Sequence, residues 1–165
     1  AQRLQEKYDK QVQHRSEAAA AFGAADCRRF IEQAGDDVPD LILLSVGYDA
    51  AIARLPIAEF RSSVEQMIRT LSGDRGALVV LVTPMPLNHD PRLKGREVAA
   101  HIDTRPYTWQ LELMAQQHTL PLLRTGAALA ESALGPEKLY SDNLSLSDDG
   151  HLILADAAER LLSGQ

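Results

Sequence analysis

The sequence predicts an α/β domain built on a parallel β-sheet with helices on both of its faces. Two short apolar runs, at 41–46 and 77–82, suit strands that are covered on both sides. A segment with apolar residues at helical spacing follows each run. Strand and helix therefore alternate along the chain, which is typical of a doubly wound parallel sheet.

The individual elements are predicted from apolar spacing and from the residues that stop each run. Near the amino terminus we expect a helix end, a weak strand and a helix, at 3–10, 11–17 and 22–34. Parallel strands are expected near 41–46, 78–82 and 120–123, and helices near 58–72, 106–118 and 148–162. The connection at 83–106 is irregular, with a short helix near 97–102.

Length and composition are those of one globular domain over 1–165. The chain is 45% hydrophobic and 24% charged, and no repeat or linker divides it. A formal net charge of −6 argues against nucleic acid as the main partner. No apolar run is long enough to span a bilayer, and Cys27, the single cysteine, excludes a disulfide within the chain. None of these features assigns a cellular compartment.

Ligands of doubly wound sheets bind beyond the carboxyl ends of the strands. Two short blocks stand at such positions, SVGYDA at 45–50 and SDNLSLSDDGH at 141–151, and a third, FGAAD at 22–26, lies a helix ahead of the strand at 41–46. Their order resembles that of the SGNH (GDSL-type) esterases and acylhydrolases. The resemblance places Gly23 at the family's oxyanion glycine, and it places Asp142 at the aspartate of the Asp-x-x-His block. It implies a flavodoxin-like three-layer sandwich over nearly the whole chain.

Three elements of the family's chemistry are missing or altered. No Gly-Asp-Ser nucleophile turn occurs, so we expect the family's first strand to be missing from the chain. Asp49 stands where the family has an asparagine, and a carboxylate there would repel a developing oxyanion. Ser145 stands at the histidine position, and a serine does not act as the base that activates a nucleophile. Asp142 would then orient an imidazole that is absent.

Other residues have simpler interpretations. His151 is expected in the first turn of the last helix, as a surface or capping residue. Ser16 follows no apolar strand, and Trp109 is expected to be in the core or half-buried. Candidate catalytic residues are Asp142, Ser145 and His151, and candidate residues of the pocket and oxyanion region are Gly23, Gly47, Tyr48, Asp49 and Pro84.

We weigh three functions. The first is a catalytically degenerate SGNH-like module that binds an acylated or carbohydrate ligand or a protein partner. The second is an active esterase, acylhydrolase or acyltransferase whose nucleophile segment lies upstream or on another chain. The third is a metal-dependent deacetylase, because 39–50 also resembles a strand-loop segment of zinc deacetylases. Its candidate ligands, His89, Asp90, His101 and Asp103, fall in one loop region.

The first function is favoured because three separate catalytic elements fail together. It requires no cofactor and no metal. The missing first strand would leave an apolar edge on strand 41–46, which proteins normally cover. We therefore expect another chain, a swapped segment or the N-terminal residues to fill that slot, so a protein partner or a homo-oligomer is compatible with the sequence.

Overall fold

The computed structural model describes residues 39–72, 77–89 and 92–164, together with Arg29, Glu32 and Gln33. The predictions for 3–10, for 11–17 and for most of 22–34 lie outside the described residues. The same holds for Ser16, Gly23, Cys27 and Asp90.

Strands and helices alternate, and the predicted α/β class is confirmed. The strands are β1 (Leu41–Ser45), β2 (Leu78–Val82) and β3 (Leu122–Leu123). The helices are α1 (Tyr48–Ile52), α2 (Ile57–Leu71), α3 (Arg96–Ala99), α4 (Arg105–His118), α5 (Thr125–Ala130), α6 (Pro136–Leu139) and α7 (Asp148–Ser163). No helix in these parts of the chain is long and apolar enough to cross a membrane.

The sheet is parallel, with the order β1-β2-β3. Strand β1 pairs with β2 from Leu41 opposite Leu78 to Ser45 opposite Val82. Strand β3 pairs with the last residues of β2, Val82 lying opposite Leu123. The three strands therefore end at the same level, and the segments that follow them leave from one edge of the sheet.

The main core lies between one face of the sheet and helices α2 and α4. The apolar stripe of α2 is fully buried, as its spacing predicts; it consists of Phe60, Val64, Met67, Ile68 and Leu71. Tyr107 of α4 crosses this core edge-on to Phe60, with ring centroids 5.1 Å apart. Its hydroxyl donates to the carbonyl of Leu55 at 2.7 Å. A smaller apolar cluster joins the segments around α5, α6 and α7 through Leu129, Leu139 and Leu146.

Trp109 is exposed, and the prediction that it is buried was wrong. Helix α4 turns the face that carries Tyr107, Leu111 and Met114 towards the core. Trp109 lies two residues from Tyr107, about half a turn around the helix, and is 59% exposed. The angular position of Trp109 around the helix, and not its apolar character, decides its exposure.

The outer edge of β1 has no strand paired to it among the described residues. Leu43 on this strand is 52% exposed, although its neighbour Leu44 is buried in the core. An apolar strand edge of this kind is a liability that proteins normally cover. Coverage of this edge by another chain or segment stays a prediction.

Two buried threonines fix the segments that follow β2 and β3. The Thr125 amide donates to the Thr83 hydroxyl oxygen at 3.0 Å. The Thr125 hydroxyl donates to the Pro84 carbonyl at 2.9 Å, and the two hydroxyl oxygens lie 3.0 Å apart. Both side chains are 2% exposed, so water does not compete for these groups.

Replacing Thr125 by Val should lower the free energy of unfolding by about 1–3 kcal/mol, because it removes the bonds of the Thr125 hydroxyl and leaves the buried Pro84 carbonyl without its donor. Chemical denaturation would measure the loss. The matched control is Thr70→Val on α2, where the solvent-accessible hydroxyl bonds only the Gln66 carbonyl. We expect that change to stay within about 0.5 kcal/mol. Equal losses in the two variants would contradict the buried network.

Candidate functional site

The candidate site lies at the edge where the three strands end. Gly47 follows β1 with a φ of +104° and is buried. A Cβ atom at this position would lie 2.8 Å from the Pro84 Cγ and 3.3 Å from the Tyr107 Cβ. Gly47 and Pro84, both predicted site residues, are therefore in close contact. Only a glycine allows the chain to approach Pro84 and Tyr107 so closely at this position.

Tyr48 and Asp49 begin helix α1 directly after Gly47. The pKa of the Tyr48 phenol is raised above its usual value of 10.0, first by burial and then by the carboxylates of Asp142 and Asp49. Asp142 therefore lies close enough to act on Tyr48, although the two residues are far apart in sequence. The phenol stays protonated at neutral pH and is a hydrogen-bond donor.

Asp142 sits in a closed loop in front of helix α7. Tyr140 and Leu146 form an antiparallel bridge at the base of this loop. The Ser141 amide donates to the Ser145 carbonyl at 3.0 Å. The Asp142 Oδ1 accepts from the Leu144 amide at 2.7 Å. This last bond is an Asx turn, in which an aspartate side chain accepts from the amide two residues further on. Asp142 therefore has a structural role in its own loop in addition to any role towards a ligand.

The Asp142 loop is bound to the segment that follows β2. The Tyr140 hydroxyl donates to the Pro86 carbonyl at 3.0 Å. The Asn143 amide donates to the Lys94 carbonyl at 2.8 Å, and the Asn143 Nδ2 donates to the Leu93 carbonyl at 3.1 Å. Asn143 is not among the predicted site residues; its only signal in the sequence is its position between Asp142 and Ser145.

Solved structures with the same arrangement of strands and helices come from lipolytic enzymes and esterases. A lipolytic protein of the G-D-S-L family from Desulfitobacterium hafniense matches with a TM-score of 0.63 at 18% identity, over 85% of this chain and 75% of that one. A lipase/acylhydrolase from Enterococcus faecalis matches with a TM-score of 0.66 at 20% identity, over 87% and 71%. The chain has the SGNH/GDSL hydrolase fold.

An acetylxylan esterase from Geobacillus stearothermophilus shares this SGNH fold with a TM-score of 0.62 at 19% identity, over 86% of this chain and 68% of that one. Catalytic mutants of that enzyme replace a serine in one case and a histidine in another. No family model matches the present chain. No curated protein matches it either.

The other two candidate catalytic residues, Ser145 and His151, are both exposed to solvent in this SGNH fold. Ser145 is exposed, and its carbonyl accepts hydrogen bonds that close the loop. His151 lies in the first turns of α7, where its amide donates to the Ser147 carbonyl at 3.0 Å and its side chain is exposed. Within the described residues, no ion pair joins His151 to Asp142.

The candidate metal ligands that the structure describes in the loop after β2, His89, His101 and Asp103, do not form a metal site. Asp103 pairs with Arg105, whose Nε lies 2.8 Å from Oδ1 and whose second nitrogen lies 2.8 Å from Oδ2. This pairing holds the Asp103 pKa down at about 2. His89 and His101 are exposed. In 39–72, 77–89 and 92–164, no three His, Cys, Asp or Glu side chains are grouped so that they could hold a metal ion.

Proposed function

We propose that this SGNH-fold domain binds an acylated carbohydrate at the carboxyl edge of its sheet and does not hydrolyse it. The proposal rests on the difference between two residues of one loop, Asp142 and Ser145. Asp142 is held beside Tyr48 by a loop fixed at both ends. Ser145, at the position of the family's histidine, is exposed and supplies no base.

The chemistry of the edge favours binding over acyl transfer. Stabilising a tetrahedral intermediate needs donors or positive charge where its oxyanion forms. Asp49 brings a carboxylate to the position where the resemblance expects an asparagine donor. A binding role needs neither a base nor an oxyanion site, so it tolerates both substitutions.

The groups at the edge suit the hydroxyls of a neutral sugar. Tyr48 supplies a protonated phenol with an aromatic face, and Asp49 and Asp142 supply acceptor oxygens. Carboxylates disfavour an anionic ligand by like-charge repulsion. The acyl group is suggested by the folds that resemble this one, since they belong to a lipase/acylhydrolase and an acetylxylan esterase.

Ligand-observed NMR and calorimetry with an acetylated xylo-oligosaccharide test this proposal. We expect binding by the unmodified chain, with Tyr48→Phe and Asp142→Asn each weakening the affinity by about tenfold, the usual effect of one lost hydrogen bond to a charged or buried group. The matched control is Glu131→Gln, which removes an exposed carboxylate outside the candidate site and should leave the affinity unchanged.

Two results would contradict the proposal. The first is that the unmodified chain does not bind the oligosaccharide, or that Tyr48→Phe and Asp142→Asn both bind it with unchanged affinity. Either outcome would show that the ligand does not bind at this edge of the sheet. Release of acetate that stops in Asp142→Asn would favour the alternative function, an active esterase with a base other than Ser145.

A further inference from the structure

Asn143 is the one fully buried polar side chain of the Asp142 loop in the described residues, with 0% of its surface exposed. Through its backbone and its amide it contacts three places on the segment after β2. The Asn88 amide donates to its carbonyl at 3.2 Å, its own amide donates to Lys94, and its Nδ2 donates to Leu93. It stands directly after Asp142 in the chain, so its placement fixes the Asp142 backbone.

We propose that Asn143 is a positioning residue, which fixes the place of the Asp142 carboxylate by tying the loop before α7 to the segment after β2. Its relevance to ligand binding rests on the proposed function, but the positioning itself does not. Of the three cross-loop contacts, only the bond from Nδ2 to Leu93 depends on the side chain. Replacing Asn143 by Ala leaves the part-buried Leu93 carbonyl without this donor and leaves space beside it, so the loop is no longer held in one position.

The Tyr48 phenol reports on this geometry without any ligand. Two carboxylates act on it: Asp49 from its own helix and Asp142 from the loop before α7. A carboxylate that moves away from a phenol lets its pKa fall, because the phenolate is then repelled less. Asp49 lies on the same helix as Tyr48, whereas Asp142 lies on the loop that Asn143 ties to the segment after β2, so a fall after an Asn143 change reports Asp142.

The test is an NMR titration of ring-labelled tyrosine between pH 8 and 12, with Tyr48→Phe assigning the Tyr48 signal among the four tyrosines. Asp142→Asn should lower the pKa of Tyr48; it keeps the oxygen that accepts from Leu144. Asn143→Ala should lower it by a similar amount while the far-ultraviolet circular dichroism stays that of a folded protein. The matched control is Ser141→Ala, which loses bonds inside the loop, to the Ser145 and Leu146 carbonyls, and keeps the cross-loop contacts. It should leave the pKa unchanged.

Asn143→Ser retains the backbone contacts and a polar group, and it replaces Asn143→Ala if the alanine variant does not fold. An unchanged Tyr48 pKa in a folded Asn143 variant, alongside a lowered pKa in Asp142→Asn, would overturn the positioning role. A fall of equal size in Ser141→Ala would also overturn it, because any loosening of the loop would then suffice. Because this titration contains no ligand, it can fail while the binding experiment succeeds, and the reverse.

Discussion

The purified chain should hydrolyse 4-nitrophenyl acetate no faster than a heat-denatured sample of the same protein. A serine hydroxyl keeps its proton near neutral pH unless a positioned base removes it. The residue at the histidine position, Ser145, provides none, and loss of one triad member typically lowers the rate by about 10⁴-fold. Absorbance of released nitrophenol, followed over a range of ester concentrations, measures the rate.

Ser145→His is the informative companion variant. We expect it to stay inactive, because the sequence contains no Gly-Asp-Ser turn and Asp49 still stands where the resemblance expects an asparagine. Saturable turnover by the unmodified chain, abolished by Asp142→Asn, would contradict this expectation. It would point to another base, and His151 would be the first residue to test.

Replacing Gly150 by Ala should cause a large loss of stability. Gly150 is buried in the first turn of α7, and a Cβ atom there would overlap the backbone carbonyl oxygen of Leu139. It would also lie 3.1 Å from the Leu146 Cβ, so neither neighbour is a flexible side-chain end. We expect a loss of about 2–4 kcal/mol in the free energy of unfolding, because overpacking against backbone displaces the helix start.

Gly126→Ala is the matched control for this change. Gly126 lies in helix α5, and a Cβ atom there would lie 3.8 Å from Pro86, an ordinary contact. Since alanine is also the better helix former, this variant should be neutral or more stable by up to about 1 kcal/mol. Urea denaturation measures the free energy of unfolding of both variants. A Gly150→Ala protein as stable as Gly126→Ala would contradict the packing of α7 against α6.

Much of the fold can be predicted from the sequence because its long helices carry periodic apolar stripes and its first two strands are continuous apolar runs. The stripe of α2 from Phe60 to Leu71 recurs at helical spacing, and each of its members is buried. The runs that form β1 and β2 are apolar without alternation, as expected of strands between two helical layers. Ser147, predicted as the N-cap of α7, accepts from the Gly150 amide at 3.2 Å.

The features that the sequence does not predict are the shortest helices and the contacts between residues far apart in the chain. Helices α1, α5 and α6 have only five, six and four residues, too few to show a period. The three cross-loop contacts of Asn143 join residues about 50 positions apart, so no local sequence pattern predicts them. The approach of Asp142 to Tyr48 depends in turn on those bonds. Sequence reasoning placed both residues at one edge of the sheet, and only the structure relates their side chains.

The central claim, that this SGNH fold holds no activated serine, is tested most directly by intact-mass spectrometry after treatment with a fluorophosphonate. Such reagents form a covalent phosphonyl ester with a serine whose proton is removed by a neighbouring base. We expect the native chain to keep its unmodified mass, as the denatured chain does. Stoichiometric addition to one serine of the native chain, lost on denaturation, would contradict the account and would identify the nucleophile.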